Sequence, residues 1–515
     1  VGNTNSFYID NLYFWKAPIS TWVGNNDTFY SNASNWSSGV VPGSNDNVII
    51  PSDAANHPKL EIDETITANS ITIEAGASFI AIDNNTVNAD INYTVAVDEK
   101  WNLVSSPVDG ETYDDTWVAA NGIALGSSNT GNRGIATYQN NEIDESTGPW
   151  VYMQAEAIAT SFDSGVGYSM KRTSAGNYTF SGTYPDSSEF TLIQGTNNNW
   201  NLVGNAYPAY IDVSLFITNK QNKLHPAYQS LYVWDAAKDE YIPTTDGTIE
   251  PGQAFFVSSS VNNTQITLYE ELTVGMAEII FESKTSNLYP SINLNLSNGS
   301  STKQTIINYL ESKTKGLDPG HDIGMFTGVS STLELYTNLV ENNQGISFAR
   351  QALPNTDHET MIIPLGITAE EAQEITFTAE VSNLPEGIKV FLEDRQENTF
   401  TRLDELNAAH KITTTSAING VGRFYLHTTQ SVLNITDATL DNVSVFKVNN
   451  SLRIVGLQQG KAAVKLFNVL GRQVLNAAFE SNGTKDISLP RLAKGVYIVQ
   501  LETVEGKLNK KIILE

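Results

Sequence analysis

The sequence contains no cysteine among its 515 residues. No disulfide can therefore hold any part of the chain, and each domain must be held by an apolar core. Apolar residues make up 40% of the sequence, which is enough for several such cores. A prior of ~150 residues per domain gives three to four domains. The abundance of Asn, Thr, Ser and Gly is typical of all-β proteins, whose turns need these residues.

Positive charge is also scarce. The chain holds 30 Lys and Arg against 57 Asp and Glu, a net charge of −27. Such a chain repels a phosphate backbone, so nucleic acid is excluded as a partner. The acidic residues are spread along the chain, which favours a role in solubility. The alternative is an acidic loop that binds a divalent cation.

Long apolar runs are absent too. No segment is long enough for a membrane helix, and no basic start precedes an apolar run as in a signal peptide. Phe7-Tyr-Ile-Asp-Asn-Leu-Tyr-Phe-Trp15 alternates like a terminal strand without upstream partners. We therefore predict that residues 1–18 are the last strand or strands of an upstream β jelly-roll domain. They resemble the end of a carbohydrate-binding jelly roll, and we expect the natural N-terminus to precede Val1.

Catalytic signatures are missing as well. No two histidines lie within four residues of each other, which excludes H-E-x-x-H, and neither G-x-S-x-G nor a P-loop occurs. Glu142-Ile-Asp-Glu-Ser-Thr147 resembles the start of the E-x-D-x-x-E signature of a β-glucan hydrolase family. However, Thr147 stands where that family has its last Glu. We predict no catalytic residue and no enzyme activity within this chain; a catalytic domain upstream is the alternative.

One turn concentrates acidic residues. Gly316-Leu-Asp-Pro-Gly-His-Asp-Ile323 brings Asp318 and Asp322 together, and calcium prefers oxygen-rich loops of this kind. The alternative, which we favour, is a turn in which the Asp side chains accept backbone N–H groups. We therefore predict no cofactor and keep Asp318 and Asp322 as weak calcium candidates.

Short alternating segments occupy most of the chain. They predict an all-β fold of tandem β-sandwich or β-solenoid modules. Ala369-Glu-Glu-Ala-Gln373 is the one segment that suggests a helical turn. The predicted divisions are a small β-solenoid or sandwich at 19–92, two copies of one β-unit at 93–190 and 191–275, a β-sandwich at 276–430, a linker at 431–442 and an Ig-like C-terminal domain at 443–515.

The two copies are indicated by a repeated segment. Trp101-Asn-Leu-Val-Ser-Ser-Pro107 recurs as Trp200-Asn-Leu-Val-Gly-Asn-Ala-Tyr-Pro208, an offset of 200 − 101 = 99 residues. Trp101 and Trp200 begin apolar strands, so we expect them in the core. Exposed indoles could instead stack on sugars, and the candidates are Trp36, Trp101, Trp117, Trp150, Trp200 and Trp234.

The C-terminal segment carries the most specific pattern. Val464-Lys-Leu-Phe-Asn-Val-Leu-Gly-Arg-Gln-Val474 is followed by Leu492-Ala-Lys-Gly-Val-Tyr-Ile-Val499 and Gly506-Lys-Leu-Asn-Lys-Lys-Ile512. In order, spacing and position these segments resemble the type A C-terminal sorting domain of the type IX secretion system of Bacteroidetes. The matching residues are Leu466, Asn468, Gly471, Arg472, Val474, Leu492, Gly495, Tyr497, Lys507, Lys511 and Ile512.

The resemblance implies a route and partners. The protein would cross the periplasm and then an outer-membrane translocon, with an outer-membrane shuttle protein binding the sorting domain. A surface sortase would cut near residues 431–442. The product would be secreted, or attached to lipopolysaccharide at the cell surface.

The middle regions resemble flavobacterial adhesin-like surface proteins. We therefore predict the C-terminal region of an exported surface protein with adhesin-like structural β-modules, and surface glycans are possible partners. One alternative is the non-catalytic stalk of a secreted polysaccharide-degrading enzyme whose catalytic domain lies upstream. Another is glycan binding by the duplicated unit itself.

Overall fold

The computed structural model describes residues 17–81, 84–141, 147–155, 159–185, 189–236, 238–273, 289–430, 443–468, 472–503 and 506–514. The chain forms two compact units, one of Val1–Lys220 with Asp246–Ile280 and one of Gln221–Thr245 with Phe281–Glu515. Strands dominate the described residues, and the all-β prediction is confirmed. None of the helices in these ranges has the length and apolarity needed to cross a membrane. The predicted strand at 7–15 and the predicted linker at 431–442 lie outside the described residues.

The first unit begins with four strands in a parallel ladder. They are β1 (Ile19–Thr21), β2 (Asn47–Ile50), β3 (Thr65–Ile73) and β4 (Thr86–Val97). Each strand pairs in parallel with the next one in sequence, so Val48, Ile71 and Ile91 stack in one buried column. A second parallel column runs through Phe29 and Lys59 to Ile80. Successive stacked turns of this kind are the geometry of a β-solenoid.

Aromatic side chains fill the interior of this first module. Trp22 and Tyr30 are fully buried, Trp36 is 3% exposed, and the Trp22 and Trp36 rings meet edge to face at 5.0 Å. Each indole N–H donates to a backbone oxygen, from Trp22 to Asn56 at 2.6 Å and from Trp36 to Tyr30 at 2.8 Å. Trp36 is therefore a core residue, because its ring is enclosed and its polar atom is satisfied.

The next eight strands and one helix follow the solenoid. They are β5 (Trp101–Val104), β6 (Thr112–Tyr113), α1 (Asp115–Ala120), β7 (Asn132–Tyr138), β8 (Trp150–Gln154), β9 (Thr160–Ser161), β10 (Tyr168–Lys171), β11 (Gly176–Gly182) and β12 (Glu189–Leu192). β5, β10, β7 and β8 form an antiparallel sheet in that order, while β11 pairs with β4 of the solenoid. The side chain of Asp114 accepts hydrogen bonds from Thr116 N and Trp117 N, and so caps α1.

A second set of elements follows. They are β13 (Trp200–Gly204), β14 (Tyr210–Asp212), α2 (Val213–Lys220), β15 (Leu231–Asp235), β16 (Glu240–Thr244), β17 (Thr248–Ile249), β18 (Ala254–Ser258), β19 (Thr264–Thr267) and β20 (Leu272–Thr273). The antiparallel pairs β13–β18 and β15–β16 correspond to β5–β10 and β7–β8 of the first set. Trp101 and Trp200 occupy the same place, since each opposes the last residue of its partner strand.

Residues 289–430 form an eleven-stranded domain. Its strands are β21 (Ser291–Ser297), β22 (Thr302–Leu310), β23 (Ile323–Gly324), β24 (Glu334–Thr337), β25 (Phe348–Pro354), β26 (Met361–Ala369), β27 (Glu374–Ser382), β28 (Lys389–Asp394), β29 (Thr399–Arg402), β30 (His410–Thr413) and β31 (Ile418–Thr429). The path β29-β28-β31-β26-β24-β25-β22-β21-β27-β30 is one continuous sheet, with β23 paired to β25.

This sheet curls around one core. Leu294, Ile363, Phe377 and Leu392 come from widely separated strands and all belong to it. The two ends of the path meet where Thr401 Oγ1 and His410 Nδ1 lie 2.9 Å apart. The predicted sandwich of two sheets is therefore a single rolled sheet. The predicted helical turn at 369–373 is wrong, because β26 runs to Ala369 and Ala372 has a φ of 59° in the following turn.

The C-terminal domain holds five strands: β32 (Ser444–Val448), β33 (Ser451–Asn468), β34 (Gln473–Ser488), β35 (Gly495–Thr503) and β36 (Gly506–Leu514). β33 and β34 are longer than the short strands that we predicted. β33 bends at register shifts between Val455 and Gly460, and β32 pairs with its first half while β35 pairs with its second. One bent sheet thereby encloses a core of its own.

Short 3-10 helices complete the described structure: Ala33–Asn35, Gln221–Lys223, Pro226–Tyr228, Tyr269–Glu271 and His358–Thr360.

Candidate functional site

The three segments that carry the C-terminal pattern lie side by side in the sheet. Asn468 on β33 opposes Tyr497 on β35, and Tyr497 opposes Ile512 on β36. Leu466, Tyr497 and Ile512 point into the domain core with at most 7% exposure. The Tyr497 hydroxyl donates to the Ala493 carbonyl at 2.8 Å, so its polar end is satisfied. The pattern therefore describes the packing of one small fold.

The other residues of the pattern lie around this centre. Val474 and Leu492 pack against the core, and Gly495 begins β35. Asn468 and Arg472 close the hairpin between β33 and β34, since the Asn468 Oδ1 accepts from Arg472 N at 3.0 Å. Lys511 is exposed. Gly471 and the Lys507 side chain lie outside the described residues.

The C-terminal domain differs in charge from the rest of the chain. Residues 443–515 contain 11 Lys and Arg and 5 Asp and Glu, so their net charge is 11 − 5 = +6. The remaining residues carry −27 − 6 = −33. Opposite charge of this size attracts over about a Debye length, ~8 Å at physiological salt.

A close contact joins the C-terminal domain to β31 within the second unit. We call it the seam: residues 417–425 on one side, and residues 456–457 and 482–484 on the other. A Cβ built on Gly422 would overlap the Leu457 carbonyl, and one on Gly483 would overlap the Val421 carbonyl. Two backbones meet here without side chains between them, which only glycine allows.

Hydrogen bonds and apolar contacts extend the seam. The Tyr425 hydroxyl donates to Gly456 O at 3.2 Å, and the Asn482 Nδ2 donates to Ala417 O at 3.0 Å. Tyr336, Val421 and Val455 form a small buried cluster beside these bonds. The C-terminal domain is therefore packed on the eleven-stranded domain.

Comparison with known families decides what the C-terminal domain is. Residues 442–515 match the family model described as the secretion system C-terminal sorting domain. These residues are a secretion sorting domain. The protein is therefore a substrate of the type IX secretion system, which exports it through the outer membrane to the cell surface or the medium. The predicted sorting domain and the predicted localisation are confirmed, and the sorting domain interacts with the type IX secretion system, whereas the adhesin-like character of the middle regions stays a prediction.

Other comparisons add little. No curated protein matches the chain. Among solved structures the chain is similar to Tp47, the 47-kilodalton lipoprotein of Treponema pallidum, with 7% identity, 82% of this chain and 90% of that chain covered, and a TM-score of 0.13. At that score the likeness carries no argument.

A second feature is an open cleft of about 560 Å³ within the second unit. Its aromatic wall consists of Trp234 and Tyr241 from the β15–β16 hairpin and Phe326 from the loop after β23. The ring centroids of Tyr241 and Phe326 are 4.1 Å apart, and those of Trp234 and Tyr241 are 4.8 Å apart. Apolar and uncharged polar residues also line the cleft, together with six charged residues, namely Lys238, Asp239, Glu240, Lys303, Glu334 and Arg350.

Hydrogen bonds position several of these charged groups. Lys303 Nζ lies 3.2 Å from Glu240 Oε2, the Thr368 hydroxyl donates to Glu334 at 2.9 Å, and Arg350 donates to the Thr245 hydroxyl at 3.3 Å. Burial raises the pKa of the Glu334 carboxyl, against the lowering effects of the Thr368 hydrogen bond and the Lys303 charge. Its carboxyl is therefore partly desolvated at the wall of the cleft.

The predicted calcium candidates occupy a hydrogen-bonded turn. Asp322 is fully buried, and its two carboxyl oxygens accept from Asp318 N at 2.6 Å and from Ala352 N at 2.7 Å. The Asp318 carboxyl in turn accepts from Thr314 N at 2.7 Å. Burial raises the pKa of Asp322 to about 7 in spite of these two bonds. Both carboxyls thus serve the turn, and calcium binding stays a prediction.

The eleven-stranded domain also holds a cluster of buried charges. Asp394 is fully buried and accepts two hydrogen bonds from Arg423, at 2.9 and 2.7 Å. On the opposite face of β28, Glu393 lies 2.8 Å from His427 and 3.1 Å from Arg395. These groups neutralise one another, which is the arrangement of a structural ion-pair network. In the described ranges no three potential metal ligands gather at one point.

The remaining sequence candidates fall in different environments. Trp200 is buried at 3% exposure, whereas Trp101, Trp117, Trp150 and Trp234 are half-buried and pack against other rings. Of these only Trp234 lines the cleft. The hydrolase-like segment at 142–146 lies outside the described residues.

Sequence reasoning missed both the seam and the charged side of the cleft. Gly420-Val-Gly422 was available as a signal, because glycine inside a strand marks a bulge or a close backbone approach. Nothing in the sequence pairs Glu334 and Arg350 with Tyr241.

Proposed function

We propose that this exported chain is itself non-catalytic, and that its tandem β-modules act as structural and adhesive parts at the cell surface. The sorting domain delivers these modules. The seam is the observation that supports this proposal best: the sorting domain packs directly on the last strand of the eleven-stranded domain. A cargo joined in this way travels as a folded β-structure, as a surface stalk or adhesin requires.

The finer partners belong to the same proposal. An outer-membrane shuttle binds the sorting domain, and a surface sortase cuts between residues 431 and 442. The sorting domain carries a net charge of +6, whereas the rest of the chain is acidic. This difference supports recognition of the sorting domain by an acidic partner surface. We further propose that residues 93–190 and 191–275 arose by duplication, which the matching strand pairs support.

Deletion tests the delivery. Without residues 443–515, the truncated protein should accumulate in the periplasm, while the full chain reaches the surface. Surface labelling of intact cells measures the difference. Normal surface delivery of the truncated protein would refute the sorting role.

Adhesion needs a separate test. Beads coated with the full chain should adhere to cells or glycan surfaces more than beads coated with a protein of equal size and charge. Equal adhesion of the two bead types would contradict the adhesive role of the β-modules. It would leave the delivery role of the sorting domain unaffected.

The second candidate function is the stalk of a polysaccharide-degrading enzyme whose catalytic domain lies upstream. The cleft favours it, because an aromatic wall beside hydrogen-bonding groups suits a carbohydrate. The full coding sequence decides between the two, since a hydrolase domain on the same polypeptide would favour the stalk. The purified chain itself should hydrolyse no polysaccharide, and reducing-end release above background would contradict this.

A further inference from the structure

The cleft has the size and composition of a ligand-binding site. Its volume of about 560 Å³ falls in the range of pockets that hold small ligands, ~300–1,000 Å³. Its wall combines aromatic faces with a few charged and hydrogen-bonding groups, which is the usual make-up of such pockets. Residues from β15, β16, β22, β24 and β25 contribute to it, so regular strands hold most of its walls.

The charges in the cleft select the kind of ligand. Asp239, Glu240 and Glu334 balance Lys238, Lys303 and Arg350, three acidic groups against three basic ones. A polyanion would be repelled by the three carboxylates, and an apolar ligand would desolvate the charged groups without offering them hydrogen bonds. A neutral molecule with many hydroxyl groups meets neither cost, because each hydroxyl both donates to a carboxylate and accepts from a cation.

The aromatic wall adds an apolar surface to this polar array, made of rings that are tilted by 57° between Trp234 and Tyr241 and by 36° between Tyr241 and Phe326. Trp234, Tyr241 and Phe326 lie in one continuous ring cluster. The C–H faces of a pyranose ring are apolar while its rim is hydroxylated, and such a ring can cover an aromatic face while its rim reaches Glu334 and Arg350.

We propose that the cleft binds a short neutral oligosaccharide, with the aromatic cluster as the stacking wall and Glu334 and Arg350 as the hydroxyl-binding groups. The inference rests on the proposed surface function only in that export brings the cleft into contact with extracellular glycans. It assigns the binding to the second unit, and to residues outside the sorting domain.

The test uses the full chain and an array of short neutral oligosaccharides that includes cellotriose, maltotriose, xylotriose and mannotriose, with trigalacturonate as the acidic probe. Calorimetry then measures affinity for the strongest neutral probe. Glu334→Gln keeps the side-chain shape and an acceptor for Thr368, and Arg350→Met keeps the aliphatic stem. Each should lower affinity at least tenfold. The matched control is Glu374→Gln, whose carboxyl is 67% exposed and lies outside the cleft.

The inference is overturned by binding of none of the neutral probes, or by equal affinity of the wild type and both cleft variants. Preference for trigalacturonate would also overturn it. Lys303→Gln provides a further variant at the same wall if Arg350→Met unfolds, as judged by circular dichroism. Adhesion by a chain that binds no neutral oligosaccharide would sink this inference and leave the proposed function standing.

Discussion

Replacing Gly422 with alanine should separate the sorting domain from the eleven-stranded domain. Gly422 has a φ of 121°, and a Cβ at this position would overlap backbone atoms of Leu457. The unfavourable φ costs ~1–3 kcal/mol. The overlap adds ~1–3 kcal/mol, the usual cost of overpacking, since a carbonyl cannot rotate away as a side chain can. Together they amount to ~2–6 kcal/mol, and each 1.4 kcal/mol is about tenfold in an equilibrium constant.

The matched control is Gly387→Ala. Gly387 also has a positive φ, 87°, but nothing lies within 4 Å of a Cβ built there. This variant therefore carries the backbone cost of alanine without the overlap. A difference between the two variants isolates the contact across the seam.

The assay introduces a specific protease site between residues 431 and 442, the predicted linker. After cleavage of the wild type and of Gly387→Ala, the sorting domain should co-elute with the remaining chain in gel filtration. After cleavage of Gly422→Ala it should elute alone. Thermal unfolding before cleavage shows whether the eleven-stranded domain itself has survived. Co-elution of the cleaved Gly422→Ala fragments as in the wild type would refute the reasoning about the seam.

Three further predictions concern buried polar groups. The Asp394 carboxyl is buried, which would raise its pKa, but the His410 ring 3.7 Å away and the two hydrogen bonds and charge of Arg423 hold the pKa at about 2. Because this pKa is lower in the folded than in the unfolded chain, the ionised carboxyl stabilises the fold above pH ~4, and this stability, about 2 kcal/mol, is lost as pH falls towards 2. Asp394→Asn should therefore make the melting temperature less dependent on pH between ~4 and ~2. The same pH dependence in the variant as in the wild type would contradict this. Lys220 and Glu271 form a buried ion pair at 3.0 Å, with side-chain exposures of 7% and 0%. Glu271→Gln should lower the free energy of unfolding by ~3–5 kcal/mol, because it removes the countercharge of the buried Lys220 ammonium. The exposed Glu374→Gln should change it by almost nothing, and equal denaturation midpoints for the two variants would contradict this. Asp322→Ala should cost ~1–3 kcal/mol for each of two unpaired backbone N–H groups, and calcium should leave the wild-type melting temperature unchanged, so a calcium-dependent rise would restore the metal interpretation.

The strand content was accessible from local pattern. Residues 291–296 and 376–381 alternate strictly, and both fall inside observed strands, β21 and β27, which pair with each other over residues 291–297 and 376–382. Alternation is visible in sequence because each strand buries one face only. Alternation does not predict the full length of β33, because its glycines at 456 and 460 bend the strand instead of ending it.

The sorting pattern was accessible for another reason. Leu466, Tyr497 and Ile512 belong to one small core, so their types and spacing are dictated within ~70 residues of chain. A pattern confined to one domain can be recognised without knowing the rest of the fold. The cleft lacks this property, because its walls are separated by up to 116 residues, from Trp234 to Arg350.

The sequence by itself therefore determined the all-β class, the sorting signal and the export route, because these depend on local alternation and on one contiguous motif. Only the tertiary structure decided that the sheet of residues 289–430 rolls into one layer, that the Asp322 side chain is fully buried and that the sorting domain packs on β31 with direct backbone contact at Gly422 and Gly483. Each of these depends on contacts between residues far apart in sequence, which burial and chain closure select and no local pattern records.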